Sequence, residues 1–336
     1  MNRLQRLFPI DVPLVQGPMG GVAGPELVAA VANAGALGVL PIWPESGKEA
    51  ARLIEETRDR TEAAFAVNLR ADLVQLDLVR VAFDLGVRHF HLFWGDPAET
   101  ASLVHELGAS FFATVGDGAA ARAAIEAGAV ALVAQGIEAG GHVLSETPLE
   151  RLLPAVIEAA GDVPVIAAGG IATPEDARAA LGEGAAGVLC GSRFVATHES
   201  DAHPAYKAAL VRAGADATTR SLCFDLGWSD APHRTLVNET YRIWREAGLP
   251  AMGARPGEGE VVMCGEDGTG LPRYFVMPPL KGMTGDVTEG AMYAGTGVER
   301  LDSIEAVADV VARFRAALLP GPSAGSPGPR TSAARA

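Results

Sequence analysis

Cysteine is scarce in this 336-residue chain: Cys190, Cys223 and Cys264 are the three present, and none forms a CxxC pair. An odd, scattered set supports neither a disulfide framework nor a zinc site, and it suits a reducing compartment. No run of about 18 apolar residues occurs, so no membrane-spanning helix is expected. The N-terminal residues Met1 to Phe8 lack the apolar core of a secretory signal. A cytoplasmic protein is the expectation. Basic residues are outnumbered, 27 against 41, for a formal charge of −14. Such a surface repels phosphate backbones and argues against nucleic acid as a partner. No GxGxxG follows a first strand, so a Rossmann dinucleotide site is not expected.

What is present is a repeat of one junction. An alanine-rich amphipathic helix ends at a glycine, and an apolar run of strand length follows. The junctions begin at Gly35, Gly86, Gly108, Gly128 and Gly184. Glycine takes the left-handed conformation at a helix C-terminus without a Cβ clash. Strands are then predicted at Leu14–Gln16, Leu37–Leu40, Phe65–Asn68, His89–Phe93, Phe111–Val115, Ala131–Gln135, Val165–Ala167 and Gly187–Cys190. Helices fall between them, including Pro25–Ala34, Ala71–Leu85 and Glu175–Leu181. Thr173 and Pro174 read as N-cap and first helical residue. Eight alternating units favour a (β/α)₈ TIM barrel, an α/β fold, over an open doubly wound sheet.

The alternation stops at about Ser229. Residues 1–228 and 301–319 are therefore assigned to the barrel, with a last helix over 303–319. Residues 229–300 are read as a smaller C-terminal lid or cap over the barrel mouth, with a helix at His233 to Ala247. Residues 320–336 have the composition of a disordered tail.

In such barrels, chemistry sits at the C-terminal ends of the strands. Those ends carry Gln16, Gly17, Pro18, Met19 and Gly20, then Asn68, then Thr114. Gln135 follows, leading into Gly136-Ile137-Glu138-Ala139-Gly140-Gly141-His142. The last two ends carry Ala168-Gly169-Gly170 and Gly191-Ser192-Arg193-Phe194. Gly169, Gly170, Gly191 and Ser192 offer bare backbone N–H groups and one hydroxyl. They occupy the last two loops, where barrels often hold a phosphate.

These pieces resemble the nitronate monooxygenase family, formerly the 2-nitropropane dioxygenases. The resemblance rests on Pro13-Leu14-Val15-Gln16-Gly17-Pro18-Met19, Asn68-Leu69, the Gly136 to His142 run, Ala167 to Ile171 and Gly191 to Phe194, and covers roughly the first 300 residues. It implies an FMN-binding barrel, with Met19, Gly20, Asn68, Gln135, Gly141, Gly169, Gly170, Gly191 and Ser192 as cofactor contacts. Pro18, Thr114, Gly140 and Ala168, from the same strand ends, complete the expected site. His142 matches the family's catalytic histidine. Two departures, Val143-Leu144-Ser145 and Ala294-Gly295-Thr296, fall where the substrate side of the flavin is expected.

The implied activity is FMN-dependent oxidation of alkyl nitronates with O₂ to a carbonyl compound and nitrite. Its partners are a small-molecule substrate and O₂, with no nucleic acid and no membrane. The alternatives are an NAD(P)H-dependent FMN reductase acting on a quinone or an enoyl thioester, or a related flavin monooxygenase of specialised metabolism. A non-enzymatic flavin scaffold is the third possibility. An IMP dehydrogenase-like barrel is excluded, because the loop after the sixth strand has no cysteine. The oligomeric state is left open, a homodimer included.

Tyr293 and Trp228 are candidates for an aromatic substrate pocket. Glu138 is read as bracing backbone N–H groups. His89 and His91 are expected on opposite faces of the fourth strand, with Trp94 and Asp96 at the mouth if His91 faces inward. His198, His203 and His233 lack metal spacing and are expected on the surface. No metal site is expected.

Overall fold

All five junction glycines adopt positive φ, between 74° and 98°. At each, the next residue's N–H returns to a carbonyl in the last helical turn, as Val87 does to Ala82 (3.0 Å) and Ala129 to Ala124 (2.9 Å). Each helix is thus stopped and the chain redirected into a strand.

The computed structural model describes residues 3–319, so the tail assignment lies outside the described residues. The barrel strands are β1 (Leu14–Gln16), β2 (Val39–Pro41), β3 (Ala66–Arg70), β4 (His89–Phe93), β5 (Ser110–Val115), β6 (Ala131–Gln135), β8 (Val165–Ala168) and β9 (Gly187–Cys190). A short β7 (Gly141–His142) lies outside the barrel. The eight pair in parallel in the order β1-β9-β8-β6-β5-β4-β3-β2. A parallel bridge between Val15 and Leu37 closes the ring. Gln16 N–H donates to Leu37 O (2.9 Å), and Leu37 N–H to Leu14 O (3.0 Å). The fold is a TIM barrel.

The barrel interior is packed at its lower end. Leu4 and Phe8, from the N-terminal helix and its exit, join Val15, Phe112, Val133 and Ile166 in one buried cluster. Phe8 meets Phe112 edge-on at 5.2 Å and His89 at 5.1 Å. The plug leaves the opposite end as the place for a cavity. The larger core lies between strands and helices. Helix Val307–Leu318, within the expected stretch, packs on helices Pro25–Asn33 and Pro174–Gly182. Thr173 and Asp176 form a reciprocal capping box at the start of the latter.

Beyond β9 the chain forms two small sheets. One joins β10 (Thr218–Ser221), β11 (His233–Leu236) and β7 in the order β10-β11-β7. The other joins β12 (Val261–Cys264), β13 (Gly270–Pro272) and β14 (Thr284–Gly285). The helix expected from His233 therefore begins only at Glu239, where Asn238 caps it by accepting from Tyr241 N. His233 to Leu236 is a strand because it pairs on both sides, with β10 and with β7.

His233 is not on the surface. It is fully buried, donating from Nδ1 to Ala231 O (2.9 Å) and accepting from Phe224 N–H at Nε2 (3.0 Å). The opposite-face expectation for His89 and His91 also fails. Side chains two apart on a strand share a face, and both point into the barrel. His89 meets the Phe8 plug and His91 lies higher, against Phe112 at 4.7 Å. No helix among the described residues is long and apolar enough to cross a membrane.

Candidate active site

The open end of the barrel leads into a cavity of about 580 Å³. Pro18, Met19, Gly20, Asn68, Thr114, Gln135, Gly140, Gly141, His142, Ala168, Gly169, Gly170, Gly191, Ser192, Trp228 and Tyr293 all line it. The cofactor, catalytic and substrate-pocket positions singled out from the sequence thus converge on one space, whereas Trp94, Asp96 and Glu138 are not on its wall. Reading the sequence missed Trp43, Phe93, Phe275 and Met277, which line it too. Among the described residues, Glu45 is the one Asp, Glu, Lys or Arg on the wall. No cluster of His, Cys, Asp and Glu able to hold a metal occurs among the described residues.

The loop after β6 is held from three sides. Gln135 Nε2 donates to His142 O (3.1 Å), and its Oε1 accepts from Leu144 N–H (3.1 Å). Glu138 accepts from Leu149 N–H at both carboxylate oxygens, 3.2 and 3.0 Å. Arg234 reaches over from β11 to Ile137 O (2.9 Å). His142 itself pairs with His233 in the sheet. The catalytic candidate therefore stands on a braced sheet strand, not on a free loop.

His142 stacks on Trp228, with ring centroids 3.9 Å apart and planes 23° apart. The Arg70 guanidinium lies 3.4 Å from a Trp228 ring centroid. Two flat groups this close to one ring must occupy opposite faces. Arg70 is in turn clamped by Asp72, through Nε (3.0 Å) and Nη2 (2.6 Å). Trp94, with a left-handed φ of 64°, meets His142 and Trp228 edge to face, with ring centroids 6.1 and 5.2 Å away. His142 Nε2 is buried without a hydrogen-bond partner. Burial, then the nearby His233 and Arg70, hold the His142 pKa well below the usual imidazole value. Burial likewise lowers His233 to about 4.

On the far wall the glycines are spaces. A Cβ built on Gly191 would meet nothing within 4 Å. Gly169 and Gly170 have φ of +114° and +70° and turn the backbone after β8 toward the cavity. Ser192 Oγ accepts from Gly295 N–H (3.0 Å), which leaves its own hydrogen to donate. The Ala294-Gly295-Thr296 departure packs here, against Gly140 and Gly170. It therefore belongs to the loops after β6 and β8. Tyr293 donates to Val276 O (2.7 Å) and its carbonyl accepts from Tyr206 Oη, tying the 275–278 segment over the cavity.

A flat polycyclic cofactor with an anionic tail fits these features. Bare glycine backbone would take the tail, and the orphaned His142 Nε2 lacks a partner that a ligand can supply.

The nitronate monooxygenase family model matches residues 1–83 and 74–316. Among characterised relatives, a Mycobacterium tuberculosis protein named (3aS,4S,5R,7aS)-5-hydroxy-7a-methyl-1-oxo-octahydro-1H-indene-4-carboxyl-CoA dehydrogenase is 37% identical over 239 residues. That match covers 70% of this chain and 66% of the relative. A Rhodococcus jostii protein of the same name is 36% identical, covering 73% and 68%. The chain thus spans about two thirds of the length of these relatives. A nitronate monooxygenase from Pseudomonas aeruginosa is 35% identical over 260 residues, covering 62% of this chain and 73% of that protein. Among solved structures, FabK from Thermotoga maritima superposes with a TM-score of 0.82 at 28% identity, covering 95% of this chain and 96% of that one. Nitroalkane oxidase from Streptomyces ansochromogenes gives 0.75 at 29%, covering 94% and 97%. The chain belongs to the nitronate monooxygenase family and is an oxidoreductase of that flavin-dependent group.

Proposed function

We propose that this protein binds FMN and oxidises alkyl nitronates, taken up preformed or generated in the site from the parent nitroalkane, with O₂ as co-substrate. The products are a carbonyl compound and nitrite. The observation that carries the reading is His142, an imidazole with a buried and unpartnered Nε2 on the wall of a largely apolar cavity.

FMN, when bound, supplies the electron-accepting ring. Gly169, Gly170, Gly191 and Ser192 would hold its phosphate through backbone N–H groups and one hydroxyl. His142 takes the proton from the carbon that bears the nitro group. Trp228 and Trp94 fix the imidazole plane and keep water off it. The 275–278 segment, tied down by Tyr293, excludes solvent from above.

The low pKa sets the sign of the pH dependence. A histidine acts as a base only when neutral, and this one stays neutral until the pH falls well below 6.5. The acid limb of kcat/KM for a neutral nitroalkane should therefore lie well under pH 6.5, and activity should be flat between about pH 6 and 7. A limb centred near 6.5 would show an ordinary, solvated histidine and overturn the depressed pKa, and no acid limb belonging to a single group in the protein would remove the base role.

A second reading has support from the two carboxyl-CoA dehydrogenases that are 37% and 36% identical. His142 would then take a proton from the carbon next to a thioester carbonyl, or the site would serve an NAD(P)H-dependent reduction. One experiment separates the readings. The yellow holoprotein is mixed in air with a panel of nitroalkanes, nitronates and CoA thioesters, with and without NADH, and nitrite and oxygen are followed. Nitrite release coupled to oxygen uptake without NADH is expected. Turnover of thioesters alone, or NADH oxidation under nitrogen, would replace the nitronate reading with the second one. A protein that cannot be loaded with FMN would remove both.

A further inference from the structure

At the cavity floor, three side chains from neighbouring strands touch in sequence. Asn68 Nδ2 lies 3.0 Å from His91 Nδ1, and His91 Nε2 lies 2.8 Å from Thr114 Oγ1. They come from β3, β4 and β5, and Asn68 and His91 are almost wholly buried.

The direction of each bond can be worked out. Asn68 Nδ2 also faces the carbonyl oxygens of Leu69 and His91, both at 3.2 Å. Carbonyls only accept, so the amide nitrogen faces them and shares its two hydrogens among three acceptors; it cannot accept, so a proton on His91 Nδ1 would point at a donor. Nδ1 is then the lone-pair nitrogen. Burial lowers the His91 pKa to about 3, so the ring carries a single proton. That proton sits on Nε2 and is donated to Thr114 Oγ1. The threonine oxygen is an acceptor in that bond, and its own hydrogen has no acceptor among the described residues. Thr114 lines the cavity.

We propose that Asn68, His91 and Thr114 form a one-way hydrogen-bond chain that locks His91 in its Nε2–H form and presents the Thr114 hydroxyl hydrogen to an acceptor atom of the bound flavin. This deepens the FMN reading and rests on it at its last link. Asn68 and His91 are positioning residues: they fix which way the hydroxyl points. A hydrogen bond donated to the flavin ring favours the more electron-rich reduced form. The chain therefore raises the midpoint potential as well as the affinity.

Two measurements test this. The first needs no cofactor. In protein labelled with ¹⁵N-histidine, with His91 assigned by its loss in His91→Gln, the ring should show a protonated Nε2 and an unprotonated Nδ1. This pattern should hold from about pH 7 to pH 5. A protonated Nδ1, or titration near the ordinary imidazole value, would overturn the chain.

The second compares Thr114→Val with Thr114→Ser in FMN binding and flavin potential. Valine keeps the shape and removes the hydroxyl. It should weaken FMN binding by roughly 10-fold, the scale of one buried hydrogen bond lost with its partner left unpaired, and lower the potential. Serine should restore both to within about 3-fold of wild type and near its potential. Wild-type affinity and potential in Thr114→Val would overturn the flavin link. If the wild-type protein takes up no FMN while His91 shows the expected tautomer, the flavin end of the proposal falls with the FMN reading and the Asn68–His91–Thr114 chain stands. If Thr114→Val does not fold, Thr114→Ala against Thr114→Ser makes the same comparison.

Discussion

His142→Asn is expected to lower turnover of a neutral nitroalkane by about 10²–10⁴-fold, roughly 3–5 kcal/mol of barrier, with FMN still bound. Burial holds the wild-type imidazole toward its neutral form, and its Nε2 has no partner among the described residues. It is thus free to receive a carbon-bound proton. An amide in its place can hydrogen-bond but has no useful basicity. The glycines assigned to the phosphate are contributed by the loops after β8 and β9, so cofactor affinity should change little. The preformed nitronate is the control. It has already lost the proton, so its loss of rate should be smaller and partly in KM. The measurement is kcat and KM for both ionic forms of one nitroalkane on wild type and mutant. Equal losses for the two forms would make His142 an orienting group; wild-type rates for both would take it out of the mechanism.

The parts of this fold that could be read from sequence are those controlled by neighbours in the chain. A glycine at the end of an alanine-rich helix needs nothing distant to stop it, and all five junctions behave that way. Strand ends in a barrel share one face, so a list of residues after successive strands became a ring around one cavity. What could not be read depends on distant pairing. His233 to Leu236 has the composition of the helix that follows it, yet becomes a strand because β7 and β10 lie on either side. The Arg70–Trp228–His142 stack joins three separate segments, and no local pattern announces it. The placement of His91 was recoverable in principle, since the two-residue period puts it on the same face as His89. Its partner Asn68 then follows from the parallel register, whereas on the other side the register sets Phe112 beside His91 and Thr114 stands two residues further along β5 on the same face.

Two glycine substitutions should separate the architecture of the site from its ligand. Gly140 has an ordinary backbone conformation, so alanine there meets no torsional objection. The objection is steric. A Cβ would lie 2.4 Å from Gly295 N and 2.5 Å from Ala294 C, and both are backbone atoms that cannot rotate away. Either the loop after β6 or the 294–297 segment must shift, at a cost of about 1–3 kcal/mol or more. Because His142 follows two residues later on the same loop, Gly140→Ala should lower the melting temperature of the FMN-free protein and also reduce activity. Gly191 is the opposite case. Its φ is −101°, and a Cβ there would touch nothing within 4 Å. Gly191→Ala should therefore leave the FMN-free protein as stable as wild type. The added methyl would nevertheless project into space that a phosphate needs in order to reach backbone N–H groups. A similar steric cost, about 1–3 kcal/mol, becomes a loss of roughly 5- to 150-fold in FMN affinity. Thermal melts of the FMN-free proteins and FMN titrations of the same samples decide the matter. Wild-type FMN affinity in Gly191→Ala would move the phosphate away from the loop after β9, whereas an unchanged melt in Gly140→Ala would mean that the two loops are looser than their contact distance implies.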